Sequence, residues 1–330
     1  FMVTSPLQLL CEWEARLHFG LDPRECLLVV PHSRSQQARA SRQLASLVES
    51  GGWPRVVRSP FINVLGKRVP FLQQLQERRW LAALARRHRD TLDYFVFGDY
   101  RSLRSRFFAQ HLPAAVRRIL VDDGLVTRLV AEDRHAIHAL SFGTARKVTR
   151  LAKLRSSFAE LTFGAEHPKH LTYFTFFDIS GSRKDYVVRH NFEGVRAFVS
   201  NGDHRHERAE GWIIGQPLVE LGTETEEGYW HAIEAFLERN LSTTFRYVPH
   251  RREDPRLYKR RLTKLGIEAL EADQPLELFA LYHGSPALAV GFTSTALVTL
   301  SNMFPETGAV SLYDVPESSE ALRSEVPAYV

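Results

Sequence analysis

The chain has 330 residues, 44% of them hydrophobic and 25% charged, with a formal net charge of +5. That apolar content supports a large core and excludes a disordered tail protein, and the length is more comfortable as two domains than as one. No apolar run approaches the roughly 20 residues needed to cross a bilayer, and the opening Phe1-Met2-Val3-Thr4-Ser5-Pro6 lacks the basic and long apolar regions of a signal peptide. The chain therefore reads as cytoplasmic, with Phe1 an addition in front of Met2. Cys11 and Cys26 sit beside apolar residues and read as small buried hydrophobes in a reducing compartment.

A helix is predicted over residues 7–19, with Ser5 as its N-cap. Residues 26–30 form a compact strand, and 35–50 a helix closed by Gly51-Gly52. Residues 69–88 form a helix whose terminal arginines complement its dipole. A strand over 94–97 stops at Gly98-Asp99, a helix covers 102–112, and the next strand is Ile119-Leu120-Val121. Strands alternating with helices at this pace give βαβ units and a parallel sheet. Residues 151–163 are less regular, 171–177 are strongly β-prone, and the polar, turn-rich stretch 180–185 reads as a linker.

The second half repeats the rhythm. A strand over 211–214 ends at Gly215-Gln216-Pro217, and a helix over 224–240 carries Tyr229, Ile233, Phe236 and Leu237 on one face. A strand over 244–248 ends at Pro249-His250. Residues 276–281 read as a strand, 287–290 as a short apolar segment ending at Gly291, 293–303 as a helix and 309–313 as a late strand. The expected fold is α/β, with Rossmann-like domains over 1–180 and 186–330 whose parallel sheets face a central cleft.

Three stretches at strand ends carry chemistry. Asp122-Asp123-Gly124 follows an apolar strand, where open α/β sheets hold ligands. A carboxylate held there can take a proton from an acceptor hydroxyl as a new bond forms. His250 can donate a hydrogen bond to a leaving phosphate. Gly291-Phe292-Thr293-Ser294-Thr295 opens a helix whose free N–H groups and hydroxyls suit an anion. Gln216, after Gly215, could read a base edge. No Asp-x-Asp follows a strand, Asp203-His204-Arg205-His206 reads as a solvated turn, and no metal ligation is expected. No Gly-x-Gly-x-x-Gly fingerprint or Walker loop is present, so no cofactor is expected. Arginines cluster at 78–89, 101–118, 146–155 and 251–261, which suits anionic partners such as membrane headgroups. No nucleic-acid motif accompanies them.

The order acid-acid-Gly, histidine motif, then Ser/Thr motif resembles the bacterial sialyltransferases, in particular the lipooligosaccharide sialyltransferase and polysialyltransferase families. Thr4-Ser5-Pro6-Leu7-Gln8-Leu9 is similar to their opening loop, and Ile214-Gly215-Gln216-Pro217-Leu218 and Tyr247-Val248-Pro249-His250 extend the resemblance over nearly the whole chain. The resemblance implies a two-domain GT-B fold and a metal-independent, inverting transfer of sialic acid, or a related nonulosonic acid, from its CMP ester to a glycan or glycolipid hydroxyl. It makes Asp122 the general base, with Asp123 in support and His250 assisting departure of CMP. Thr293, Ser294 and Thr295 would meet the phosphate, and Thr4, Ser5 and Gln8 the acceptor side. Arg251 stands where the family has proline. Two other readings are open: the same fold acting on a UDP- or GDP-sugar, and a non-catalytic polyanion binder.

Overall fold

A computed structural model describes residues 1–31, 38–60, 70–134, 150–182, 184–200, 208–250, 252–292 and 294–312. The chain forms two α/β units, one comprising 1–36 and 44–190, the other 37–43 and 191–330. The first unit contains α1 (Pro6–His18), β1 (Leu28–Val30), α2 (Ala38–Ser50, whose first residues belong to the second unit), β2 (Val56–Arg58), α3 (Pro70–His88) and β3 (Tyr94–Phe97). It continues through α4 (Leu103–Gln110), β4 (Arg117–Val121), α5 (Val126–Asp133), α6 (Arg150–Phe163), β5 (Thr172–Thr175) and β6 (Tyr186–Arg189).

All its strand pairs are parallel among the described residues, in the order β1-β2 and β3-β4-β5-β6. Met2 joins the two sets. It bridges Val29 on one side and Phe97 on the other, and its N–H donates to Val96 O at 2.9 Å. The spatial order is therefore β2-β1-Met2-β3-β4-β5-β6. The chain leaves the Met2 position toward β1 and β2, then crosses back to β3. That reversal is the topological switch point of a Rossmann-like sheet, where the carboxyl ends of two strands diverge and leave a crevice.

The apolar runs Phe95-Val96-Phe97 and Ile119-Leu120-Val121 are fully buried because helices cover both sheet faces. Met2, Phe95, Phe97, Phe107, Phe108, Leu120 and Tyr173 share one core, and each large side chain so enclosed contributes about 1.5–3 kcal/mol. Ser5 caps α1 by accepting the Gln8 N–H at 3.3 Å, with Pro6 in the first turn.

The second unit contains α7 (Glu193–Ser200), β7 (Arg208–Ile214), α8 (Leu218–Leu221), α9 (Glu226–Arg239), β8 (Phe245–Val248), α10 (Pro255–Leu265), β9 (Glu268–Ala269), α11 (Leu276–His283), β10 (Pro286–Gly291), α12 (Thr295–Met303) and β11 (Gly308–Ser311). Its parallel sheet runs β11-β10-β7-β8-β9. The chain moves outward from β7 to β9, then crosses to β10, so a second switch point lies between β7 and β10. Ile213, Tyr229, Trp230, Ile233, Tyr247, Val290 and Phe292 form its core.

Three expectations are corrected. Residues 276–281, expected as a strand, lie in helix α11; an apolar stretch this short has no period that distinguishes the two. Residues 151–163 are helical in α6. The domain boundary falls between His190 and Asn191 rather than at 180–185. The polar stretch is a turn that leads into β6, which pairs with β5 through Tyr173 and Val187.

Gly98, just after β3, lets α1 approach the sheet. A methyl group there would overlap the buried stem of Gln8. Gly98→Ala is expected to destabilise the fold by about 1–3 kcal/mol, read as a lowered urea midpoint with an unchanged slope.

Candidate functional site

The two acids after β4 have different fates. Asp122 is 0% exposed. Its Oδ1 accepts from the Thr175 hydroxyl at 2.7 Å and its Oδ2 from the Phe176 N–H at 2.8 Å, with His190 Nε2 3.7 Å away. The carboxylate thus ties the end of β4 to the end of β5. It has no route to a bound hydroxyl, which corrects its expected role as base.

Asp123 turns the other way, with 17% of its side chain exposed. The backbone turns tightly behind it because Gly124 takes a left-handed φ of 66°, and the Asp123 N–H donates to Thr127 Oγ1 at 2.9 Å. Gln8 Nε2 donates to Asp123 Oδ1 at 2.7 Å, and the same Gln8 accepts from the Thr4 N–H and hydroxyl at 2.7 and 3.0 Å. The loop before α1 is thereby locked to the acid, with Thr4 and Ser5 half-buried beside it. Arg101 reaches Asp123 Oδ2 at 3.3 Å and Asp99 Oδ1 at 3.9 Å. Asp99 caps the turn after β3 by accepting from the Ser102 N–H at 3.2 Å.

Thr4, Gly98, Asp99, Arg101 and Asp123 therefore gather at the carboxyl ends on the switch-point side of the first sheet. Burial and the neighbouring Asp99 charge push the Asp123 carboxyl up to about 7, against the opposing hydrogen bond of Gln8 and the charge of Arg101. Burial raises Asp99 as well. Asp99 and Arg101 were not among the expected site residues. The signal for them was present: Gly98-Asp99 ends a buried strand just as Val121-Asp122 does.

In the second unit, the loops after β7 and β8 are joined by a buried polar chain. The Gln216 N–H donates to Tyr229 Oη at 3.0 Å, Tyr229 and Tyr247 share a hydroxyl–hydroxyl bond of 2.9 Å, and Tyr247 donates to Glu253 Oε1 at 2.5 Å. Glu253 Oε2 accepts the His250 N–H at 2.5 Å, while the Glu253 N–H donates to His250 O at 3.0 Å. Glu253 thus closes the turn through both its side chain and its backbone N–H. Gly215 must lack a side chain because a methyl group would overlap Glu253 and Tyr247.

His250 itself is half-buried. Its Nδ1 accepts from the Arg252 N–H at 3.1 Å, so the neutral ring carries its proton on Nε2 and offers it as a donor. Ser294 caps α12 by accepting the Ala296 N–H at 3.2 Å, and Thr295 begins the helix, half-buried. Gly291 packs against the Ile214 carbonyl, which draws the ends of β10 and β7 together. Gly215, Gln216, Ser294 and Thr295 thus flank the second switch point. Thr293, Arg251 and the stretch 203–206 lie outside the described residues.

Among the described residues, Cys11, Asp122 and His190 bring a thiol, a carboxylate and an imidazole within 4.8 Å of one another. Asp122 already gives both oxygens to β5 and its loop. A cavity of about 800 Å³ lies in the first unit, away from its switch point, beside the N-terminal ends of β4–β6, bordered by Arg117, His170, Tyr186 and Val188.

No family model matches the chain, and no curated protein matches it in sequence. Its backbone does match solved structures over 98% of its length. One is a protein assigned as a UDP-N-acetylglucosamine 2-epimerase from Listeria monocytogenes, with a TM-score of 0.56, 12% identity and 80% of that chain covered. Another is S. aureus MnaA with UDP, with a TM-score of 0.53, 10% identity and 81% covered. A third is an α/β-galactoside α-2,3-sialyltransferase from Photobacterium phosphoreum, with a TM-score of 0.51, 12% identity and 93% covered. The fold is GT-B. At these identities the GT-B likeness defines the architecture, an α/β chain with a parallel sheet in each unit.

Burial pushes the Glu253 carboxyl up to about 7, despite the hydrogen bonds it accepts. A carboxyl raised above its unfolded value of 4.5 loses stability as pH rises toward 7. Glu253→Gln is therefore expected to melt higher than the parent at pH 8 and no higher at pH 4. Glu253→Ala, which leaves the His250 N–H and Tyr247 hydroxyl without their acceptor, is expected to be less stable by about 1–3 kcal/mol and so to melt lower. Thermal denaturation of both variants across that range checks the sign.

Proposed function

We propose that the protein is an inverting glycosyltransferase that moves sialic acid, or a related nonulosonic acid, from its CMP ester to a hydroxyl of a glycan or glycolipid. The observation that carries this reading is Asp123: a carboxylate at a switch point, open to one side, with its proton affinity raised to near neutrality. A base poised near the working pH is what deprotonation of a sugar hydroxyl requires. The proposal places the base one residue later than the sequence resemblance does, because Asp122 is enclosed.

In this reading, the acceptor hydroxyl gives its proton to an Asp123 oxygen as its own oxygen bonds to the anomeric carbon. The bond from that carbon to the phosphate oxygen breaks on the opposite face, and CMP leaves with the electron pair. His250 Nε2–H and the first N–H groups of α12 stabilise the charge that develops on the phosphate. Ser294 and Thr295 would flank that position, and Gln216 would read the nucleotide base. Gln8, held by Thr4, fixes the Asp123 rotamer. No cofactor takes part, and metal independence rests on the sequence resemblance. Transfer requires the acceptor bound at the first unit and the donor bound at the second to come together during turnover.

A UDP-sugar reading has its own support, since the solved structures with this fold include an epimerase named for UDP-N-acetylglucosamine and a complex with UDP. Thermal shift separates the two, because a bound nucleotide raises the midpoint by mass action. CMP is expected to stabilise the protein and UDP and GDP are not; a shift with UDP alone replaces the CMP reading.

With CMP-sialic acid and a galactoside acceptor, Asp123→Asn is expected to reduce kcat by on the order of 10²–10⁴-fold. Removal of the charge is expected to leave the thermal midpoint at pH 8 unchanged or higher. The parent rate should rise with pH through about 7 and then level, as Asp123 ionises. His250→Ala is expected to lower kcat more than it raises KM. Product formation by Asp123→Asn at the parent rate overturns the assignment.

A further inference from the structure

The arginine clusters of the sequence have different fates in the fold. Arg104 Nε donates to the buried Glu77 at 2.7 Å, and Arg106 is buried against Tyr100 and His167. Arg118 donates to the carbonyls of Ala109, Leu112, Pro113 and Val116, closing the turn before β4. On α10, Arg256 pairs with Asp254 at 2.7 Å, and Arg260 and Arg261 pair with Glu226 at 3.0 and 3.3 Å. Lys259 pairs with Glu271 at 3.1 Å. Arg104, Arg106 and Arg118 are thus committed within the fold, and the α10 cations are balanced by carboxylates beside them.

Helix α3 differs. Arg78, Arg79, Arg86 and Arg87, and Arg89 just beyond the helix, are all exposed, and none appears among the ion pairs of the described residues. The carboxylate of α3, Glu77, faces inward to Arg104. Asp90 is the nearest exposed acid along the chain. Arg55, before β2, adds to the field: His88 is lowered by burial and by the charges of Arg87 and Arg55.

Apolar surface lies on the same face. Leu72 and Leu75 are 48% and 39% exposed. With Arg79, Ala83 and Arg86 they follow steps of three and four residues, which places all five on one stripe of the helix. Arg87 flanks the stripe on one side and Arg89 on the other, while Arg78 lies over the Phe107 ring at 5.4 Å.

We propose that this face of α3 docks the protein on an anionic lipid surface. The arginines meet the headgroups, and Leu72 and Leu75 enter the interfacial layer. A soluble polyanion would use the arginines and gain nothing from the leucines, so the apolar residues within the stripe favour a bilayer. Docking is independent of the transfer reading and would serve any enzyme whose acceptor is membrane-held.

The test is flotation of the full chain with phosphatidylcholine vesicles, with and without about 30% phosphatidylglycerol. The parent is expected to float with the anionic vesicles, less so as salt rises, and to stay behind with the neutral ones. Arg79→Glu/Arg86→Glu/Arg87→Glu is expected to weaken binding by on the order of a hundredfold or more. Leu72→Ser/Leu75→Ser should weaken it with the salt dependence retained. Arg256→Glu/Arg260→Glu on α10 should leave it unchanged. Circular dichroism confirms that each variant folds. Absence of the parent from anionic vesicles overturns the proposal. So does binding unaffected by the leucine changes, which would leave a patch that adsorbs by charge alone without entering the interface.

Discussion

The carboxylate of Asp122 is the constraint on which the first unit's site depends. Its two oxygens are taken by the Thr175 hydroxyl and the Phe176 N–H, so the ends of β4 and β5 are fixed to each other. A charged group completely enclosed is costly unless it is hydrogen-bonded, and here both oxygens are satisfied by the adjacent strand end. Because Asp122 points inward, its neighbour points outward, and Gly124 turns the chain away before a side chain can cover it. The outward-facing carboxylate of Asp123, held by Gln8 and Arg101, is thus a consequence of the buried one. Its high proton affinity follows from the same geometry, since the strand ends hold it half-enclosed and within reach of the Asp99 charge.

The second unit solves a similar problem with different chemistry. Two loops must be held at the ends of β7 and β8, and both are short. A chain of hydroxyls from Tyr229 and Tyr247 links the Gln216 N–H to Glu253, and Glu253 holds the His250 N–H. The backbone of the histidine turn is therefore set by an acid that is itself buried. That arrangement puts the ring proton of the neutral imidazole on Nε2, because Nδ1 accepts the Arg252 N–H. In both units a buried carboxylate fixes the backbone that presents a more accessible group.

Much of this architecture is legible in the sequence because parallel strands covered on both faces must be continuously apolar. Phe95-Val96-Phe97, Ile119-Leu120-Val121 and Trp212-Ile213-Ile214 all announce themselves in that way, and the glycines or acids that follow mark the ends. The half-exposed strands β2 and β6 lack that signal, which is why the boundary was expected too early. Residues 276–281 mislead because an apolar helix that packs against neighbours has no polar face to reveal its period. Which of two adjacent acids faces out is a matter of strand phase, and Asp122-Asp123 carries no mark of it.

The arginine content carries a further lesson about charge. A net charge of +5 spread over recurrent arginine clusters suggests an anion-binding surface everywhere. The fold uses several of those guanidiniums, Arg104, Arg106 and Arg118, as internal donors. Arg118 satisfies carbonyls left over at the turn before β4, where burial without a partner would be expensive. Arg104 neutralises a buried glutamate. Arginine suits such positions because its planar fork serves several acceptors at once and it is more weakly hydrated than lysine. Surface potential is therefore decided by which arginines are left over after the fold is satisfied. On that accounting the exposed face of α3 stands apart, since the helix's only carboxylate turns inward while Leu72 and Leu75 turn outward with the arginines. Pairing, rather than composition, locates the basic surface of this chain.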